Sequence, residues 1–213
     1  MAQGVAFLLV FENILQFFGA LIGLSIATIA IKGYQRTRSP TLLRLSLAFL
    51  LLFVSFMAEA LVGLNALGIL PQLAFLISVL ISMAAFFEAA GYFFLALSHM
   101  INVRTTTGIR VAPFLALPLV NLPAALQSLS LFFLLYGAIE TGISYFKMRK
   151  AETLLIAFGL CFIAVGMLLS WTSLLSQLSM TLLLLSLCFK IIGLSTLFLP
   201  VLKFSMASGG YKE

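Results

Sequence analysis

Aspartate is absent from this 213-residue chain, which also has a single histidine, His99, a single tryptophan, Trp171, and two cysteines. With one imidazole and no clustered thiols, a haem held by two histidines, a His-rich metal site and a zinc site all lack ligands, so no metal and no cofactor is expected on that count. Cys161 and Cys188 fall in different apolar runs and read as small buried apolar residues rather than a disulfide. Charge is scarce as well: 8% of residues are charged against 63% hydrophobic, too little to cover a soluble domain. The net charge of +6 sits mostly between the apolar runs, where the positive-inside rule explains it without nucleic acid. No nucleophile–base set stands out, so an enzyme is not expected. No basic segment precedes the first apolar stretch, which is longer than a signal-peptide core and reads as a retained helix.

What the chain does have is hydrophobic length. A membrane span needs about 20 apolar residues, and almost nothing is left over for a soluble domain. The expected fold is all-α, a polytopic transmembrane bundle of seven helices in one domain covering 1–213. Their approximate bounds are 5–31, 41–64, 73–99, 109–120, 122–147, 151–175 and 177–204. Basic clusters at 32–44, 102–110 and 147–150 alternate with uncharged turns at 65–72 and 174–177, which places the N-terminus outside and the C-terminus in the cytoplasm. The chain must then cross twice between Arg110 and Lys147. That makes 109–120 a short span with Arg110 snorkelling inward; a re-entrant segment with six full spans is the alternative. Ser39 is read as the cap of the second helix, with Pro40 in its first turn, and Asn121 as the cap of the fifth. Gly19, Gly23 and Ala27 form a small-residue seam against a neighbouring helix.

Three stretches recur. Ile31–Leu43 matches Ile143–Leu155 without a gap, and Pro71-Gln72-Leu73 matches Ser176-Gln177-Leu178. Phe87-Glu88-Ala89-Ala90-Gly91 has its counterpart in Phe189-Lys190-Ile191-Ile192-Gly193. These matches read as parallel repeats of helices one to three and five to seven, joined by the fourth. The 3+1+3 layout resembles SWEET-type sugar transporters and microbial rhodopsins in topology. The loop Tyr34-Gln35-Arg36-Thr37-Arg38-Ser39 resembles the Tyr-x-Arg-Thr-x-Ser loop of small uncharacterised archaeal membrane proteins, a resemblance that implies no activity.

Lys190 lies in the middle of the last apolar run, where an ammonium costs about 2.5–3.5 kcal/mol on insertion scales and calls for a partner. Glu88 is the carboxylate at comparable depth, and Tyr92 and Ser186 lie one helical turn from the two charges. Glu88, Lys190, Ser186 and Tyr92 therefore form the expected central polar site. Small residues beside both charges are expected to let helices three and seven approach. Glu12, Glu59 and Glu140 are secondary: the first two are read as interfacial, the third as snorkelling or pairing with Lys147.

The pair has three readings. It is a structural lock in a non-catalytic membrane protein, a subunit or scaffold of a larger assembly. Alternatively it is the midplane site of a small-solute or proton-coupled carrier. Finally, a lysine in the last helix and a carboxylate in the third resemble a retinal Schiff-base protein; that resemblance implies retinal on Lys190 with Glu88 as counterion. Expected partners are the lipid bilayer and other membrane subunits or a second copy of the chain, with the cell membrane as the location.

Overall fold

In hydrocarbon every backbone N–H and C=O must be satisfied within the segment, so apolar runs of this length become helices. The computed structural model describes residues 2–100, 122–173 and 179–207. Among them are α1 (Ala2–Thr37), α2 (Pro40–Ala66), α3 (Ile77–Met100), α4 (Leu122–Met148), α5 (Ala151–Ser173) and α6 (Ser179–Ala207). Six helices, one from each of these elements, are long and apolar enough to cross a membrane, the third including a 3₁₀ turn at Pro71–Leu76. The chain is thus a multi-pass helical membrane protein in outline. The expected fourth helix at 109–120, the 102–110 loop, the Asn121 cap and the 174–177 turn lie outside the described residues. The last three expected helices are α4, α5 and α6.

The helix ends follow from local chemistry. α2 closes in a Schellman motif: Gly68 takes a φ of 73°, its N–H donates to the Asn65 carbonyl at 2.9 Å, and the Ile69 N–H donates to Leu64 at 3.0 Å. The Asn65 side chain then holds the Leu70 carbonyl at 2.7 Å, and Pro71 opens the 3₁₀ turn. At the other end of the hairpin, Pro40 occupies the first turn of α2 as expected. Ser39 does stand at the N-cap, but its hydroxyl makes no capping bond there; its carbonyl accepts from the N–H groups of Leu42 and Leu43.

The two basic turns are built alike. Arg38 and Arg149 both adopt the left-handed conformation, with φ of 55° and 50°, and both donate their N–H to a tyrosine carbonyl four residues back, Tyr34 and Tyr145, at 2.7 Å. α1 ends at Thr37 and α4 at Met148; α2 starts at Pro40 and α5 at Ala151. All of these counterparts are 111 residues apart. The ungapped match of Ile31–Leu43 with Ile143–Leu155 has an offset of 112, one residue from that of the two turns.

The helices form a closed ring in chain order, α1 beside α2 and so on round to α6, which packs back on α1. α1 and α2 run antiparallel: Gly19 faces Phe56, Gly23 faces the backbone at Phe49 and Phe53, and Ser46 donates to the Ala27 carbonyl at 3.0 Å. The small-residue seam on α1 is therefore used within the chain. α2 and α3 join through Ser55, which donates to the Ala84 carbonyl at 2.9 Å, and through Gly91 against Leu52 and Ala48. α5 and α6 close in the same manner through Gly159, Gly166 and Gly193. In a ring of six, α3 stands opposite α6. Phenylalanine, leucine and isoleucine side chains such as Phe11, Phe18, Phe86, Ile139 and Phe158 are exposed on the outside, where lipid would cover them.

Candidate functional site

Opposite helices bring the two central charges to one point. The Lys190 ammonium donates to Glu88 Oε1 at 2.6 Å, and the residues are 5% and 4% exposed. Tyr92, one turn further along α3, donates its hydroxyl to the same Oε1 at 3.3 Å. An unpaired charge in such a place would cost several kcal/mol, so the long side chains of Glu and Lys reach across the ring to each other.

The small residues beside the charges work differently from expectation. Helices α3 and α6 do not touch backbone to backbone. Gly91 instead presses α3 onto α2, while Gly193 lies against the Gly159 carbonyl and Ile163 of α5. Gly166 of α5 leaves space for Lys190 itself: a Cβ there would stand 2.9 Å from Lys190 Cγ and 2.7 Å from the Ser186 carbonyl oxygen. These glycines seat each charged helix against its own neighbour and leave the middle of the ring open. Ser186 lines that middle, but its hydroxyl bonds neither charge.

The open middle is a cavity of about 270 Å³. The pair lies on its wall, and beyond the pair toward the basic turns the interior is filled by Leu95, Leu134, Leu160, Leu194 and Leu197. From the pair the cavity extends toward the end of the bundle where α1 begins and α2 ends. There it takes in Glu12, Asn13 and Gln16 of α1, Glu59 of α2 and Gln127 of α4. Gln16 donates from Nε2 to Glu59 Oε2 at 2.6 Å, and Asn13 donates from Nδ2 to the Leu9 carbonyl at 3.4 Å in the space left by Gly63. Those bonds fix both amides with their oxygens turned away from the donors. Asn13 Oδ1, Gln16 Oε1 and Gln127 Oε1 are then buried without a hydrogen-bond partner.

Of the residues expected at the centre, Glu88, Lys190 and Tyr92 share one hydrogen-bonded cluster and Ser186 stands beside it. Glu12 and Glu59, expected as separate interfacial charges, belong to the same cavity as the central pair. Glu140 does not: it accepts a hydrogen bond from Tyr136 at 3.2 Å and lies off the cavity. The expected Glu140–Lys147 pair is not formed, since seven helical residues separate the two by about 10.5 Å of rise. Lys203 pairs instead with Glu152 at 2.6 Å on the surface, an ion pair the sequence reading missed. Cys161 and Cys188 are free thiols, and Cys161 is exposed rather than buried. Asn13, Gln16 and Gln127 are the polar residues that sequence reasoning underrated; the signal was there in Glu12, Asn13 and Gln16 sharing one helical turn. No family model, curated protein or solved structure matches the chain.

Proposed function

We propose that the chain is a membrane carrier for a small polar solute, built from two copies of a three-helix unit, α1–α3 and α4–α6, around a central chamber. The observation that carries this reading is the lining of the chamber. Each lining residue contributed by α4–α6 has a counterpart in α1–α3 that also lines it: Gln127 answers Gln16, Ser170 answers Glu59, Ser186 answers Ala84 and Lys190 answers Glu88. The offset is 111 residues in the first two helices of each unit and 102 in the third. Two equivalent units arranged about an axis along the membrane normal, with a polar site between them at mid-depth, is a known transporter layout.

The helix directions support the same layout. Ala84 of α3 and Gln127 of α4 meet at the chamber, while Gly137 of α4 lies beside Ala96 of α3, so the two helices run parallel. A parallel α3 and α4 is the arrangement that the expected short span at 109–120, outside the described residues, would call for. With the basic turns at Arg38 and Arg149 on the cytoplasmic side, the chamber opens to the outside. The cell membrane is the matching location. A scaffold needs the ion pair but has no use for three amide oxygens left without donors, and a retinal polyene calls for an apolar slot rather than carboxylates and amides beside the lysine.

Thiol accessibility tests the reading. In a Cys161→Ala, Cys188→Ala background, Val62→Cys and Ser186→Cys should react with a membrane-impermeant thiosulfonate added outside. Leu95→Cys, below the pair, should react slowly from the cytoplasmic side as the chamber opens the other way. If no position reacts from either face, the chamber is closed to water and the carrier reading is wrong.

A further inference from the structure

We infer that the chamber takes organic cations carrying an ammonium group, held by Glu59 and Glu12 together with the amide oxygens of Asn13 and Gln16. The inference rests on the carrier reading and names its substrate class.

The chemistry of the lining is one-sided. Three carboxylates, Glu12, Glu59 and Glu88, face a single ammonium, and that ammonium is already taken by Glu88 at 2.6 Å. Glu59 keeps one oxygen without a hydrogen bond after receiving Gln16, and Glu12 receives no hydrogen bond among the described residues. Asn13 and Gln16, only 5% and 7% exposed, each bring a buried oxygen that lacks a donor. A buried acceptor left without a donor is destabilising, and so is a half-buried carboxylate left without a counter-charge. The site thus lacks what an ammonium brings, a positive charge with several N–H donors. An anionic solute would find no unpaired cation here, and a neutral alcohol would meet the acceptors but leave the charge unbalanced.

Size and apolar surface narrow the class further. A cavity of about 270 Å³ is far larger than a bare alkali ion requires, and Leu9, Val62 and Ile81 offer apolar contact for a short carbon chain beside the carboxylates. Lys190 is the resident model for such a guest: its own ammonium sits on Glu88 while its methylenes pass Gly166. A solute ammonium on Glu59 would give the second acidic group what Lys190 gives the first.

The test is calorimetric titration of the full chain in lipid nanodiscs with ethylammonium, using sodium chloride, sodium acetate and glycerol at matched ionic strength as comparators. Ethylammonium should bind saturably and raise the unfolding temperature. Glu59→Gln, which keeps the shape and an acceptor for Gln16, should weaken binding by about tenfold or more. Glu12→Gln should weaken it in the same direction, and Glu140→Gln should leave it unchanged. Binding of acetate or glycerol without ethylammonium would overturn the cation assignment and keep the solute chamber. Equal binding of sodium, or full binding by Glu59→Gln, would also overturn it. Failure of all four probes, together with unreactive Val62→Cys, would remove the carrier reading as well.

Discussion

Removing one member of the central pair leaves the other buried without its counter-charge. In Lys190→Met the Glu88 carboxylate, 4% exposed, keeps only the Tyr92 hydroxyl. Its cheapest escape is to take up a proton, and holding an ordinary glutamic acid protonated at pH 7 costs about 3.7 kcal/mol. In Glu88→Gln the Lys190 amine escapes by losing a proton, which for an ordinary lysine at pH 7 costs about 4.6 kcal/mol. These figures cap the two penalties, and both fall within the range of about 3–5 kcal/mol found when a buried pair is broken. The double variant Glu88→Gln, Lys190→Met leaves no charge, so it should recover to within about 2 kcal/mol of the native chain. The signs with pH are opposite. The carboxyl of Lys190→Met is protonated when folded and ionised when unfolded, so its penalty shrinks as pH falls. The amine of Glu88→Gln is neutral when folded and charged when unfolded, so its penalty shrinks as pH rises. Equilibrium unfolding in detergent, followed by circular dichroism between pH 5 and 9, reads all three variants. Single substitutions costing less than about 0.5 kcal/mol, or a double variant as unstable as the sum of the singles, would show that the pair is not desolvated as described.

Two further outcomes test the packing and the matched turns. Gly166→Ala drives a Cβ onto a backbone oxygen and onto Lys190, so it should cost about 1–3 kcal/mol, whereas Gly142→Ala meets nothing within 4 Å and should be neutral or stabilising in the same melts. Arg38→Gly and Arg149→Gly each relieve a left-handed conformation worth about 1–2 kcal/mol in a residue with a side chain. Both should raise the unfolding midpoint, and by similar amounts; opposite shifts would break the equivalence of the two turns.

Much of the architecture is legible in the residues because the membrane enforces it. Run length places six of the expected spans on described helices, although α1 runs on to Thr37, and one carboxylate and one ammonium at mid-depth predict their own meeting. The ring order is what the sequence does not display. Nothing in the residues of α3 and α6 says that they stand opposite rather than side by side, so the small residues near the charges look like a contact between them when they serve α2 and α5. Glu12 and Glu59 look interfacial for the same reason: depth along one helix is readable, and which space the helix faces is not. The tight turn at Arg38 and Ser39 held the missing information. Residues at similar distances on either side of it, such as Gln16 and Glu59 or Gly19 and Phe56, lie side by side in an antiparallel hairpin, and that alone puts the two acidic residues of α1 and α2 near each other.

The proposed two-unit arrangement makes a last demand on the central charges. Positions that correspond in the two units meet at the axis, so a symmetric pairing of identical units would set glutamate against glutamate or lysine against lysine. Two like charges at the 2.6 Å separation of the present pair cannot both stay ionised. Opposite charges at equivalent positions require two units of different sequence. It follows that Glu88→Lys alone and Lys190→Glu alone should each lose the folded state, by more than either neutral substitution costs. The exchange Glu88→Lys, Lys190→Glu restores one charge of each sign at the axis and should recover most of that loss. The recovery should be incomplete, because Tyr92 on α3 loses its carboxylate acceptor while its counterpart on α6, Leu194, has no hydroxyl to give the displaced glutamate. An exchanged variant no more stable than the single reversals would mean that the surroundings of each charge, rather than their meeting across the ring, hold them in place.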